Sequence, residues 1–169
     1  MQRIRILVPG ATYHVTSRIN GGDNRLRQKE IKNLYLEVIM WAKKRFPFEL
    51  NNFSVMDNHI HLVIKPLRNA SLSKIMQWIS SVFAKRWNKL HHRSGHVWGE
   101  RFFSRIIVGI VDFMRVFMYI DDNPVKAGLV RRPEEWKFGG LWHHRMGITN
   151  IVKELDELFL RIFPNHAAG

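Results

Sequence analysis

The chain has 169 residues, 27 Lys or Arg against 14 Asp or Glu, and therefore a formal charge of +13; it has no cysteine. Its length fits one folded domain, and a 46% hydrophobic content with 12% aromatics excludes a disordered polymer. Without cysteine there are no disulfides, thiolate metal sites or cysteine nucleophiles, and no apolar run approaches the ~20 residues that span a bilayer.

Met1–Pro9 lacks the apolar core of a signal peptide, so a cytoplasmic protein with no membrane partner is expected. Tyr13–Ile19 alternates and is rich in β-branched residues, which predicts a first strand, ended by the loop chemistry of Asn20–Asn24. From Leu26 to Phe46 the residues Ile31, Leu34, Tyr35, Val38, Ile39, Ala42 and Phe46 recur at helical spacing. Lys43, Lys44 and Arg45 suit the negative end of that helix's dipole, and Pro47 stops it. Phe48–Met56 is a second strand, and the short Asp57-Asn58 connection predicts an antiparallel hairpin with a third.

The third strand runs from His59 to Ile64, where Ile60, Leu62 and Ile64 alternate with His59, His61 and Val63. Side chains two apart on a strand leave the same face, so His59 and His61 project together, opposite the apolar set. Two imidazoles on a stiff strand make a two-nitrogen grip for a divalent metal; the alternative is two polar residues on a solvated face.

Pro66 closes this strand. Ser71 is positioned to cap a second helix, with Leu72, Ile75, Met76, Ile79, Val82, Phe83 and Leu90 on its apolar stripe. Residues 91–101 form a glycine-punctuated loop with three histidines, whose spacings match no standard metal-ligand pattern. Its Trp98 either touches single-stranded bases, among basic neighbours, or packs back onto the core. Between Lys65 and Arg105 nine basic residues meet Glu100 alone, the electrostatic footprint of a phosphate-backbone binder. On charge and placement, Arg18, Trp98, Arg101 and Arg105 are candidate DNA contacts.

Phe102–Val108 reads as a fourth strand and Asp112 as the N-cap of a third helix, Phe113–Asp122, which Pro124 ends at Asn123. Phe113, Val116, Phe117 and Ile120 face the core; Tyr119 falls to one side, and Asn123 sits one turn above it. A final amphipathic helix carries Ile151, Leu155, Leu158, Phe159 and Ile162, and its acidic residues argue against contact with DNA. The order β-α-β-β-α-β predicts an α+β ferredoxin-like sandwich with an antiparallel sheet and helices on one face. A single domain, 1–169, is expected, with a C-terminal helical extension from about residue 140. The two histidines would then lie on the uncovered sheet face or at its edge.

Met56-Asp57-Asn58-His59-Ile60-His61-Leu62 resembles the histidine–hydrophobic–histidine (HUH) motif of single-tyrosine DNA transposases. Gly95–Phe102 and Tyr119–Val130 resemble the second and third blocks of the REP-associated tyrosine transposase branch, and Tyr13–Arg18 its opening strand. The likeness covers roughly Tyr13 to Trp142; Asp57 departs from the proline more usual there, a change expected to alter a turn and not the chemistry. The resemblance implies that His59 and His61 bind Mg²⁺ or Mn²⁺, that Asn123 is a third ligand, and that Tyr119 is the nucleophile. It implies an enzyme that cleaves and rejoins single-stranded DNA, at or near hairpins, through a 5′-phosphotyrosine intermediate, as a monomer or homodimer. Two other classes stand beside it. One is a non-catalytic nucleic-acid-binding module of the same fold, for which Phe102–Ile106 lacks the expected glycine. The other is a metal-dependent phosphodiesterase with no covalent step.

Overall fold

The computed structural model describes residues 7–168, so most of the Met1–Pro9 stretch lies outside it. Strands β1 (Tyr13–Arg18), β2 (Phe48–Val55), β3 (His59–Pro66) and β4 (Phe103–Ile106) form one sheet in the order β2-β3-β1-β4. All three pairings are antiparallel. With helices α1 (Lys29–Arg45) and α2 (Leu72–Leu90) as crossovers, this is the expected ferredoxin-like arrangement. Helices α3 (Gly109–Lys126), α4 (Gly140–Arg145) and α5 (Glu157–Ile162) complete it. Among the described residues no helix is long and apolar enough to cross a membrane.

Strand parity splits the interior into two cores. Val15, Leu50, Phe53, Val55, Ile60, Leu62 and Ile64 face α1 and α2, where they meet Ile31, Tyr35, Ile39, Ile75, Ile79 and Phe83. On the other face Val63 packs with Val116, Phe117 and Ile120 of α3 and with Phe163. The histidine-bearing face is therefore covered by the C-terminal helices, and β3 is a central strand. The expectation of an uncovered face or an edge fails because the apolar flank of α3 needs a partner and Val63 supplies it. An irregularity between Leu50 and Asn52 shifts the β2–β3 register, so Asn52 turns toward α3 while Phe53 returns to the first core.

Ser71 caps α2 as expected, its hydroxyl accepting from Lys74 N at 3.3 Å. At the end of that helix Leu90, expected on the apolar stripe, is exposed, and Trp87 is the buried residue. The third helix also differs from expectation. It begins at Gly109, with Asp112 inside the first turn, where its carboxylate accepts from Val108 N at 3.0 Å and pairs with Arg105. It runs through Pro124, which is buried in the last turn. The helix ends at Gly128, where φ is +70°: Leu129 N donates to Pro124 O and Gly128 N to Val125 O, both at 2.9 Å.

The final helix is shorter than its apolar spacing predicts. Ile151 and Val152 belong to the first core, and Lys153 N donates to Leu50 O at 2.7 Å along the outer edge of β2. Phe159 and Ile162 belong to the second core. The chain must round the sheet edge between them, so α5 starts only after Asp156, whose carboxylate accepts from Phe159 N. Asp57, the departure from the family pattern, holds the ammonium of Lys32 at 2.6 Å. Lys32 is buried and also donates to Leu26 O and Arg27 O, so this turn fastens α1 to the hairpin that carries the histidines.

Candidate active site

Antiparallel register builds the site from the sheet upward. Thr16 of β1 lies opposite His61 of β3, and Arg18 opposite His59. Directly paired residues share a sheet face, so His14, Thr16 and Arg18 join the two histidines. The His59 and His61 rings stand edge to face with centroids 4.9 Å apart. From above, α3 lowers two side chains onto them. The Tyr119 ring lies 5.4 Å from that of His61 and 6.1 Å from that of His14. Asn123 Nδ2 donates to His61 Nε2 at 3.2 Å. The structure thus brings His59, His61, Tyr119 and Asn123 into one place.

The hydrogen bonds define which nitrogens are free. His59 Nδ1 is 2.7 Å from the Asn58 side-chain oxygen, which can only accept, so the proton sits on Nδ1 and Nε2 keeps its lone pair. His61 Nδ1 is engaged by His14 Nε2 at 3.0 Å and Thr16 Oγ1 at 3.2 Å. Its Nε2 accepts from Asn123, so that nitrogen too carries a lone pair. Both imidazoles are anchored through Nδ1 and turn Nε2 outward, the arrangement of metal-ligating histidines. Among the described residues no three of His, Cys, Asp and Glu converge as a metal site. The third donor on offer is therefore the amide of Asn123, and two imidazoles with an amide oxygen suit a divalent cation that keeps open positions.

Electrostatics keep these rings neutral. Burial, then the charges of His59, His14 and Arg18, pushes His61 down to about 2. Burial and then Arg105 lower His14 to about 4, against the opposing pull of Asp112. His59 is lowered by burial and Arg18, with the Asn123 hydrogen bond acting the other way. At neutral pH all three present lone pairs instead of charge.

Beside the histidines opens a cleft of about 500 Å³, lined among others by Arg18, His61, Phe103, Arg105, Arg115 and Tyr119. Tyr119 is 43% exposed, so its hydroxyl can be reached from solvent. Lys126, one turn beyond Asn123, places its ammonium 5.7 Å from the Tyr119 ring centre. Of the candidate DNA contacts, Arg18 and Arg105 line the cleft, the latter held by Asp112 at 2.8 and 3.0 Å. Arg101 is exposed on the loop before β4 and is not among the cleft's lining residues. Trp98 must be withdrawn as a base-stacking residue. Its ring packs on Phe83 and Tyr35, and its Nε1 donates to Ser80 O at 3.0 Å.

Sequence reasoning missed His14, Thr16, Arg115 and Lys126. His14 and Thr16 were signalled by their shared parity with Arg18 on the first strand, but only the pairing register shows that this parity faces His61.

The sequence profile of the family described as "Transposase IS200 like" matches residues 8–123. A REP-associated tyrosine transposase of Escherichia coli (strain K12) is 24% identical over 144 residues, which cover 79% of this chain and 78% of that protein. The structure of a REP-associated tyrosine transposase bound to a REP hairpin has the same fold, with a TM-score of 0.73, 24% identity and 92% of each chain covered.

Proposed function

The chain belongs to the IS200-like transposase family, and from that premise we propose that it cleaves and rejoins single-stranded DNA, at or near a hairpin, through a 5′-phosphotyrosine on Tyr119. The observation that carries this reading is the meeting of an exposed phenol with two outward-facing imidazole nitrogens and a carboxamide in one cationic cleft. The tyrosine transposase name of the relatives and the hairpin bound by one of them support the same reading.

His59 Nε2, His61 Nε2 and the Asn123 amide would hold Mg²⁺ or Mn²⁺. Such a cation, when bound, supplies positive charge to the scissile phosphate and to the departing 3′-oxygen. Tyr119 Oη attacks phosphorus and its proton passes to water on the open side of the cleft; the P–O3′ bond breaks, and the departing 3′-oxygen takes a proton from water to become a free 3′-hydroxyl. Arg18 and Arg115 draw the flanking phosphates into the cleft. Because the phosphotyrosine keeps the energy of the broken diester, attack by a 3′-hydroxyl restores the strand without ATP. In a test, the purified protein with single-stranded hairpin oligonucleotides should give a denaturation-resistant protein–DNA adduct in Mg²⁺ or Mn²⁺ and none in EDTA. Adduct formation undiminished by EDTA would refute the metal assignment.

His14 acts through His61. By accepting from Nδ1 it holds His61 in the tautomer whose Nε2 carries the lone pair. In His14→Leu, Mn²⁺ affinity of the DNA-free protein, followed by electron paramagnetic resonance, should fall about 10- to 100-fold. His14→Gln, whose amide oxygen can take the place of Nε2 as acceptor, should retain most of it. Equal losses in both variants would reduce His14 to packing.

A further inference from the structure

One aromatic side chain in the cleft has no packing explanation. Phe103 is 53% exposed, whereas its neighbour Phe102 packs against the first core. On β4, Phe103 lies opposite Thr16 and Arg105 opposite His14, so both point to the face that carries His61. Phe103 lines the same cleft as Tyr119, and among the described residues no other ring packs against it. Folding normally removes such a ring from water.

The surroundings narrow what could cover it. A protein or lipid partner would favour a broad apolar patch, but this ring shares its cleft with three guanidinium groups, those of Arg18, Arg105 and Arg115. Asp112 forms an ion pair with Arg105 and also feels the charge of Arg115, but among the described residues neither Arg18 nor Arg115 makes a direct ion pair with a carboxylate. A flat apolar face beside unpaired cations matches a nucleotide, with its base on the ring and its phosphates on the guanidinium groups.

We infer that Phe103 is the stacking platform for a nucleobase flanking the scissile phosphate. This rests on the proposed cleavage activity and adds the subsite that sets how the strand lies across Tyr119. Because every base has a π-face, the platform supplies affinity and register with little regard to base identity. The edge position of β4 leaves the strand free to enter and leave along that side.

The test compares an oligothymidylate with an abasic strand of the same length, binding being read by fluorescence anisotropy in EDTA. Phe103→Ala should weaken binding of the oligothymidylate about 5- to 100-fold and leave abasic binding unchanged. Phe103→Tyr should stay close to wild type. Thermal unfolding of each variant checks the fold, which an exposed edge residue barely influences. Equal losses on both strands, or no loss on the oligothymidylate, would overturn the proposal. The two readings separate cleanly. Adducts formed by a wild-type protein whose Phe103→Ala variant binds as before would sink the stacking and spare the cleavage. A Phe103-dependent preference for bases in a protein that forms no adduct would do the reverse.

Discussion

Tyr119→Phe is expected to abolish the covalent protein–DNA adduct, a loss on the order of 10⁴-fold or more in single-turnover rate, because the other hydroxyl lining the cleft, that of Thr16, is tied to His61 Nδ1. Binding should survive. The phenyl ring keeps its edge contacts with His61 and His14, and the buried side of α3 (Val116, Phe117 and Ile120) is untouched. Tyr119 is 43% exposed and lines the cleft, so loss of its hydroxyl leaves the packing of α3 in place. The measurement is a denaturing gel of labelled single-stranded DNA incubated with each protein in Mg²⁺. Free cut strands from the Phe variant would show that water does the work at a metal-dependent phosphodiesterase, and an undiminished adduct would show that another nucleophile acts.

How much of this could be read along the chain depends on how local each feature is. That His59 and His61 project together follows from strand parity, and that Tyr119 and Asn123 share a flank follows from the helical repeat; both need only a few neighbouring residues. The βαββαβ order likewise follows from alternation and periodicity taken one segment at a time. Features that need a partner far along the chain were not legible. His14 reaches His61 across 47 positions through the β1–β3 register, which no local pattern specifies. Trp98 is held by Phe83 and Tyr35, so its basic sequence neighbours misled. The helix boundary at Pro124 failed for a different reason. Proline in a last turn forgoes one hydrogen bond, and here its burial and the Gly128 ending outweigh that local cost. The cover over the histidine face was hidden too, because the second core joins Val63 to Phe159 and Phe163, almost a hundred residues away.

A buried histidine pair holds the helix that carries Tyr119, and acid should loosen that grip. Asp121, two residues from Tyr119, accepts from Asn52 Nδ2 at 2.9 Å and lies 2.7 Å from His166 Nε2. His166 Nδ1 is 2.7 Å from His144 Nδ1, and His144 Nε2 donates to Lys153 O at 3.1 Å. A carbonyl only accepts, so neutral His144 has its proton on Nε2 and must receive from His166 at Nδ1. Protonating His144 would put two N–H groups nose to nose. Burial, then the neighbouring His166, accordingly holds His144 down to about 3, against an ordinary value of 6.5. A depressed folded-state value means that the unfolded chain binds the proton more readily. Stability is thus fully present above pH 6.5 and is lost as pH falls from there toward 3. Between pH 6.5 and 4 this one ring should withdraw on the order of 3 kcal/mol. His144→Asn, which keeps an acceptor near Nδ1 but cannot titrate, should begin less stable at pH 7 by about 1–3 kcal/mol. Its denaturation midpoint should then fall less steeply with acid, by nearly one proton in the slope. Urea titrations from pH 7.5 to pH 4 measure both quantities. Parallel slopes for the two proteins would show that acid acts elsewhere and that the histidine pair is a passive strap.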